Sequence, residues 1–222
     1  VIWQISAFDV DANPELAYGI MTTLNAYDNQ IYAYGQGPSK TTISAPQIGV
    51  TTSTPITITG SVTDISAGAS QAAVALNFPN GLPCVSDASM TQFMEAAYMQ
   101  QPMPHNATGV PVTLSVFDSN GNYRTIGMTT TNALGDYGLT WTPDITGNYT
   151  VYATFPGTNG YYPSSASTFF HAGSPAPTTA PTSTPLSGIA TQSTLEYIGI
   201  AIIIVIIIGI AVLALLVTRK HP

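Results

Sequence analysis

The longest apolar pattern of the chain lies near its C-terminus. Residues 197–217 read YIGIAIIIVIIIGIAVLALLV, with no charged side chain in the run. A helix of this length spans the roughly 30 Å hydrocarbon layer of a bilayer and satisfies its own backbone hydrogen bonds there. A buried helix of a soluble protein rarely lacks a polar face over such a length. The pattern predicts one transmembrane helix at 196–218, anchored in the lipid bilayer between Tyr197 and Val217.

The charges that flank this run predict its orientation. Arg219 and Lys220 follow it directly, whereas the nearest charge before it is Glu196. Basic residues beside a membrane helix favour the cytoplasmic side. We therefore expect a single-pass protein of the cell membrane, with a cytoplasmic tail at 219–222 and everything before the helix outside. A chain whose amino end lies outside usually requires a signal sequence, and the residues from Val1 onward do not resemble one. We therefore expect this sequence to be the C-terminal part of a longer precursor.

Short strands separated by turns are predicted for residues 1–36. The alternating runs are VIWQISAF, AYGIMTTLNAY and QIYAYGQG, with turn-forming residues between them. Such a pattern indicates a small antiparallel sheet. A sheet of two or three strands is not stable alone, so this one needs neighbours.

From Thr41 to His171 apolar and polar residues continue to alternate. The predicted strands are TTISAP, PITITGSVTD, QAAVALNF, GVPVTLSVFD, YRTIGMTTT, YGLTWTP, NYTVYATF and YYPSSASTFF. Turn signals such as Asn120-Gly121 recur about every ten residues, which predicts a β-sandwich. Gly60, within a strand, indicates a bulge or a close crossing.

Aromatic residues of these strands are candidates for the core. Those expected to fill the space between the sheets are Trp141, Tyr149 and Phe155. A second group allows two interpretations, an exposed contact surface or strand residues that face the core: Tyr161, Tyr162, Phe169 and Phe170.

One segment within this region has helical periodicity. Its apolar residues recur at the spacing of one helix face: Met90, Phe93, Met94 and Ala97. They predict an amphipathic helix at about 86–101, with Asp87 as its N-cap. The helix either presents a partner-binding surface or covers the open end of the sandwich.

The stretch LNAYDNQIYAYGQGPSKTTISAP, from Leu24 to Pro46, resembles the end of the quinoprotein-type (PQQ-like) β-propeller in archaeal cell-surface proteins. In that family the last blade leads into an immunoglobulin-like domain, a Thr/Pro stalk and a C-terminal anchor. The insertion near MEAAYMQQPMPHNATGVPVTL fits the same plan. The resemblance implies an archaeal cell envelope, and it implies no bound quinone because such blades can lack the cofactor.

The predicted fold class is all-β: an immunoglobulin-like β-sandwich with a short helical insertion, preceded by a propeller-blade-like fragment and followed by a single transmembrane helix. The predicted boundaries are 1–37 for the blade-like fragment, 38–171 for the sandwich and 172–195 for a stalk. The stalk is rich in Pro, Thr and Ser, a composition that stays extended and does not fold.

The charge balance and the single cysteine argue against a nucleic-acid partner and an internal disulfide. The basic residues before the apolar run are Lys40 and Arg124, against all eleven acidic residues of the chain. Phosphate binding depends on clustered cations, so nucleic acid is not expected as a partner. Cys84 is the single cysteine, so no internal disulfide forms, and we expect it to be a small buried residue.

Candidate modification and metal sites are few. Asn106 and Asn148 begin N-x-S/T sequons on the exterior side, and we predict glycosylation of at least one, with Asn106 preferred. Asp9, Asp11 and Asn13 copy the first half of an EF-hand loop, but its glycine and final carboxylate are missing. A turn explains them better than calcium, so they are weak candidates and no metal site is predicted.

Catalytic patterns are absent from the sequence. His105, His171 and His221 lack metal-ligand spacing, and no GxSxG, Walker or strand-following GxGxxG motif occurs. No catalytic residue and no cofactor is predicted, and the chain is not expected to be an enzyme.

Three functional hypotheses follow from this organisation. The first is a membrane-anchored extracellular structural or adhesion protein of the cell envelope, whose partners are other surface proteins or glycans. The second is the C-terminal carrier and anchor of an extracellular propeller enzyme or solute-binding protein. The third is a homo-oligomeric sheath or fibre formed by strand addition at free sheet edges.

Overall fold

The computed structural model describes residues 15–26, 29–176 and 192–219. This described part is mostly β, with three open sheets and one long helix near the C-terminus. The chain divides into two compact units, one ending at Ala176 and one beginning at Pro177.

The first sheet contains three antiparallel strands in the order β1-β2-β3. They are β1 (Glu15–Ala17), β2 (Ile20–Asn25) and β3 (Gln30–Tyr34). Tyr18 and Gly19 join the first two, with φ of 53° and 78°. Positive φ at both central residues is the geometry of a tight hairpin turn.

The prediction that AYGIMTTLNAY forms one strand is therefore wrong, because the chain reverses at Tyr18 and Gly19. The apolar alternation runs through this turn, so it gave no signal of the reversal. The run VIWQISAF lies outside the described residues.

Two further sheets carry the core. One is built around β5 and contains β4 (Ser39–Thr41), β5 (Ile56–Asp64), β6 (Leu82–Pro83) and β9 (Asp136–Trp141). The other has the order β11-β10-β7-β8, formed by β7 (Pro111–Phe117), β8 (Tyr123–Thr130), β10 (Gly147–Phe155) and β11 (Ser164–Ala172). Pairing within both sheets is antiparallel.

Alternation along the strands places one face of each of these sheets in a shared core. In β10 the buried residues are Tyr149, Val151, Ala153 and Phe155. In β5 the buried apolar residues include Ile56, Ile58 and Val62, and they belong to the same cluster. This agrees with the predicted two-sheet sandwich. Trp141 packs against the core but is only partly buried.

Gly60 marks a close crossing. It pairs with Tyr137 of β9 in an unbroken register. The Tyr137 hydroxyl passes over it and donates a hydrogen bond to the Thr42 carbonyl at 2.6 Å. A Cβ at Gly60 would collide with the Thr42 carbonyl oxygen and the Tyr137 ring. The glycine is therefore required by the space that the Thr42 carbonyl and the Tyr137 side chain occupy.

The predicted strand QAAVALNF is wrong, because Ala72–Asn77 form a short helix, α1, after a 3₁₀ turn at Ala67–Ser70. Only Val74 of α1 is buried, and Leu76 is exposed. Short apolar runs fit helix and strand equally well by periodicity, and this one is rich in the helix former alanine.

The predicted amphipathic helix is present as α2, Met90–Met99. Its apolar face lies on the core, with Met90, Phe93 and Ala97 buried and Met94 partly buried. Asp87 is not its N-cap, since that position is held by Ser89 without a side-chain hydrogen bond. The Asp87 carboxylate instead accepts hydrogen bonds from Asn159 and from the Gly160 N–H at 3.1 Å.

The second unit contains one described helix, α3 (Gln192–Thr218), of 27 residues. It begins four residues before the predicted membrane span, because Gln192 to Leu195 are also helical. At about 1.5 Å per residue it is long enough to cross a bilayer. The Thr218 hydroxyl donates to the Ala214 carbonyl at 3.0 Å, close to the point where the helix ends.

Candidate functional site

The helix α3 is the one described helix that is long and apolar enough to cross a membrane. Its large apolar side chains, from Leu195 to Val217, are all at least half exposed. Tyr197 and Val217 both lie within it. An apolar surface of this size is unfavourable in water and needs an apolar environment. A lipid bilayer provides one along the whole length of the helix. Arg219 follows the helix, and Lys220 lies outside the described residues.

Both predicted glycosylation sites are accessible. Asn106 is exposed in a turn between α2 and β7. Asn148 is exposed at the start of β10, and its Oδ1 lies 2.9 Å from Nδ1 of His171. Glycans attach to the other amide atom, Nδ2, so this contact leaves the acceptor atom unblocked.

The third residue of the first sequon has a structural role as well. The Thr108 hydroxyl shares hydrogen bonds with the hydroxyls of Ser86 at 2.6 Å and Ser89 at 3.1 Å. The Thr108 N–H also donates to the Ser89 hydroxyl, at 3.0 Å. This network fixes the loop after α2 against the residues that precede the helix.

The four aromatic residues near the last strand do not act as one surface. Tyr161 and Phe170 are buried in the core, whereas Tyr162 and Phe169 are exposed. Phe170 stacks on Tyr149, with 5.2 Å between ring centroids. Successive side chains of an extended chain point to opposite faces, so one member of each adjacent pair is buried and the other is exposed. A contact surface can therefore include Tyr162 and Phe169 only.

Metal-binding groups are sparse in the described part of the chain. It contains no cluster of three or more His, Cys, Asp or Glu side chains suited to a metal ion. The weak candidates Asp9, Asp11 and Asn13 lie outside the described residues. Asp118 accepts hydrogen bonds from the N–H groups of Asn120 at 2.9 Å and Asn122 at 3.0 Å. The bond from Asn122 holds the pKa of Asp118 below its ordinary value, as expected for a carboxylate that closes a hairpin turn.

Cys84 is fully buried beside β6, as the sequence predicted. Burial raises the pKa of its thiol, and the nearby Asp64 carboxylate raises it further. The thiolate, which is the reactive form, is therefore suppressed.

An ion pair that sequence reasoning missed lies beside the predicted core aromatics Trp141 and Tyr149. The Arg124 guanidinium binds the Asp144 carboxylate with both terminal nitrogens, one of them at 2.8 Å. It also lies 5.9 Å from the centre of the Trp141 ring. Trp141 in turn packs edge-on against Tyr149, at 5.4 Å between centroids. Arg124 lies 20 residues before Asp144 in the sequence, so no local signal connects the two partners of the ion pair.

A cavity of about 400 Å³ lies between the first sheet, the 3₁₀ turn and α2. Backbone pairing holds this junction together. The Gly37 N–H donates to the Gly160 carbonyl at 2.8 Å, and the Tyr162 N–H donates to the Gly37 carbonyl at 2.8 Å. The Gln36 amide crosses the junction and donates to the Tyr161 carbonyl at 3.0 Å.

Aromatic and thioether side chains form much of the cavity wall. They belong to Tyr32, Tyr34, Met90, Met94, Tyr98 and Tyr161. The first two tyrosines stack, with 6.0 Å between ring centroids. Asp64 is the one charged residue among the described residues that line the cavity, and it is only 7% exposed. Its carboxylate accepts a hydrogen bond from the Ser66 N–H at 2.7 Å.

Burial raises the pKa of Asp64, and the hydrogen bonds from Ser66 oppose part of this rise. The titratable groups that interact with Asp64 are themselves acids: Cys84, Tyr98 and Tyr161. Burial, assisted by the Asp64 charge, raises the pKa of Tyr98 to about 12. The carboxylate thus lies in a weakly polar environment without a described cation beside it.

No known protein family matches the chain, and no curated protein is significantly similar to it. The geometry described above is therefore the basis for assigning a function.

Proposed function

We propose that the protein is a membrane-anchored extracellular structural or adhesion protein of the cell envelope. The observation that carries this proposal is α3, an apolar helix with its large side chains exposed, in the same chain as a folded β-rich unit. The stretch 177–191 that separates them in sequence contains most of the Pro, Thr and Ser residues of the predicted stalk, 172–195. The protein would act by presenting its β-rich unit at the cell surface. The helix fixes the chain in the bilayer, and the β-rich unit binds the partner outside.

We propose further that the two larger sheets form an immunoglobulin-like sandwich. Seven principal strands divide into β4, β5 and β9 in one sheet and β7, β8, β10 and β11 in the other. The chain changes sheets between β8 and β9 and again between β9 and β10, as in Greek-key sandwiches.

A tyrosine contact also supports the immunoglobulin-like assignment. Tyr149, near the start of β10, accepts a hydrogen bond from the Ile145 N–H upstream, at 2.9 Å. A tyrosine whose hydroxyl bonds to the backbone just before this strand is a recurring feature of immunoglobulin-like folds, called the tyrosine corner. The arrangement favours a rigid domain suited to presentation on a stalk.

The exposed apolar side chains of the first sheet favour a second candidate function, a carrier for a larger exterior protein. Leu16 is 73% exposed and Ile31 is 77% exposed. Such a small sheet is stable only with further neighbours. In the carrier hypothesis an upstream propeller covers this sheet, and the sandwich and anchor tether that propeller to the membrane.

Orientation is tested with single cysteines and a membrane-impermeant maleimide on intact cells. We expect labelling of Ser174→Cys and no labelling of His221→Cys until the membrane is permeabilised. The native Cys84 is fully buried and serves as an internal control that stays unlabelled in folded protein. If His221→Cys alone is labelled on intact cells, the tail is outside and the proposed topology is wrong.

Adhesion is tested by comparing cells that make the full chain with cells that make Val205→Arg/Ile206→Arg. Each arginine at the centre of a membrane helix costs about 3 kcal/mol of insertion free energy, so we expect that this variant is not retained in the membrane. The matched control is Val205→Leu/Ile206→Leu. We expect the arginine variant to lose surface attachment and resistance to osmotic lysis, and the leucine variant to keep both. Equal behaviour of cells with and without the anchored protein would exclude an envelope function.

A further inference from the structure

We propose that the cavity between the first sheet and α2 binds a small organic ammonium ion, with Asp64 as its counter-ion and tyrosine rings as its walls. Nothing in the anchoring function requires such a site. The cavity volume of about 400 Å³ lies in the range of small-molecule sites in proteins.

Charge is the first argument for a cationic ligand. Carboxylates that are nine-tenths buried are normally paired with a positive group, because an isolated buried charge is costly. Asp64 is 7% exposed, and its described hydrogen-bond partner is Ser66, a neutral residue. Lys40 and Arg124, the two basic residues before α3, do not line the cavity. The positive charge that would complete this site is therefore expected from outside the described residues.

The nature of the wall is the second argument. Tyrosine rings attract a cation through their electron-rich faces, and the attraction is strongest where water is excluded. Tyr98 lies on α2, and Tyr161 is buried at the junction; both line the cavity with Asp64. Met90 and Met94 add polarizable thioethers that adapt to a ligand surface. Aromatic and thioether groups around one carboxylate suit an alkylated ammonium group.

The donor set argues against a metal ion in this cavity. Calcium requires several hard oxygen ligands, whereas the described lining offers one carboxylate. An anionic ligand would face repulsion from that carboxylate. A neutral ligand is distinguished from a cation by experiment.

The test uses two probes of nearly equal shape, choline and its neutral isostere 3,3-dimethyl-1-butanol. The full chain, in a maltoside detergent free of choline groups, is labelled with ¹³C at the methionine methyls. The resonances of Met90 and Met94 then report directly on the cavity. We expect choline to shift both resonances and to bind about 10-fold or more tightly than the neutral isostere. Equal affinities, or no shift with choline, would overturn the proposal.

The key variant is Asp64→Asn, which keeps the shape and can still accept the hydrogen bond from Ser66. A carboxyl with a raised folded-state pKa loses stability as pH rises through that pKa, so at neutral pH this substitution relieves a cost and does not unfold the protein. We expect it to abolish the preference for choline. The matched control is Asp136→Asn, which removes an exposed charge away from the cavity and should leave binding unchanged. Retained preference in Asp64→Asn, or equal losses in both variants, would refute a role for Asp64 as the counter-ion.

Discussion

The hydroxyl of Tyr149 accepts a hydrogen bond from the Ile145 N–H and donates one to the Asp144 carboxylate, at 2.9 Å and 3.1 Å. This contact ties the turn before β10 to the core, because the Tyr149 ring is fully buried. It also connects the core to Arg124, which binds the same carboxylate.

Tyr149→Phe should lower the free energy of unfolding by about 1 to 2 kcal/mol, since the Ile145 N–H loses its partner while the ring keeps its packing. The measurement is urea unfolding of the full chain in detergent, followed by near-UV circular dichroism. Tyr152→Phe is the control, because Tyr152 lies on the opposite face of the same strand and is only half-buried. If both variants lose the same stability, the Tyr149 hydroxyl contributes no more than the Tyr152 hydroxyl does.

Gly60→Ala should destabilise the β5–β9 pairing by about 2 kcal/mol or more, because the new methyl group collides with the Thr42 carbonyl and the Tyr137 ring. Gly138→Ala is a matched control one register step away, where a Cβ meets its nearest neighbour, the Ile58 carbonyl oxygen, at 3.9 Å. Thermal unfolding should show a lower midpoint for Gly60→Ala only. A wild-type midpoint in Gly60→Ala would show that the Thr42 carbonyl and Tyr137 both move aside at no cost.

The Arg124–Asp144 pair should make stability depend on acid pH. Hydrogen bonding from Arg124 lowers the pKa of Asp144 to about 2. The folded-state pKa is below the unfolded one, so the stabilisation is present above about pH 4 and is lost as pH falls towards 2. Asp144 is half-exposed, so solvent screening limits the effect to less than about 1 kcal/mol.

Asp144→Asn should therefore flatten the fall in stability between about pH 4 and pH 2. Urea midpoints measured across this range provide the check, with Asp136→Asn as the control. An unchanged acid slope in Asp144→Asn would show that the ion pair does not form in solution.

Asn106 should carry a glycan when the chain is made in a glycosylating host, because it is exposed in a turn. Glycopeptide mass spectrometry should show the modification, and Asn106→Gln should remove it without a change in the unfolding midpoint. Thr108→Ala should also remove it, but it additionally disrupts the hydroxyl network with Ser86 and Ser89 and lowers the midpoint. Finding Asn106 and Asn148 both unmodified would contradict the prediction.

The sequence by itself determined the elements whose signals are local. A charge-free run of this length permits a membrane-crossing helix, and the Asn120-Gly121 turn specifies a hairpin because Gly121 adopts a φ of 85°. The face of α2 was also predictable, since Met90, Phe93 and Ala97 recur at helical spacing and are all buried. In each case the residues that decide the structure are neighbours in the chain.

Tertiary structure decided what depends on residues distant in sequence. Asp87 looks like a helix cap locally, yet its carboxylate bonds to Asn159, 72 residues away. Gln36 joins the first sheet to Tyr161, 125 residues away, and both residues line the cavity that contains Asp64. The run QAAVALNF forms a helix with one buried residue, Val74, although its periodicity fits a strand equally well. Burial and hydrogen bonding between distant segments outweigh local preference, so these features became visible only in the folded chain.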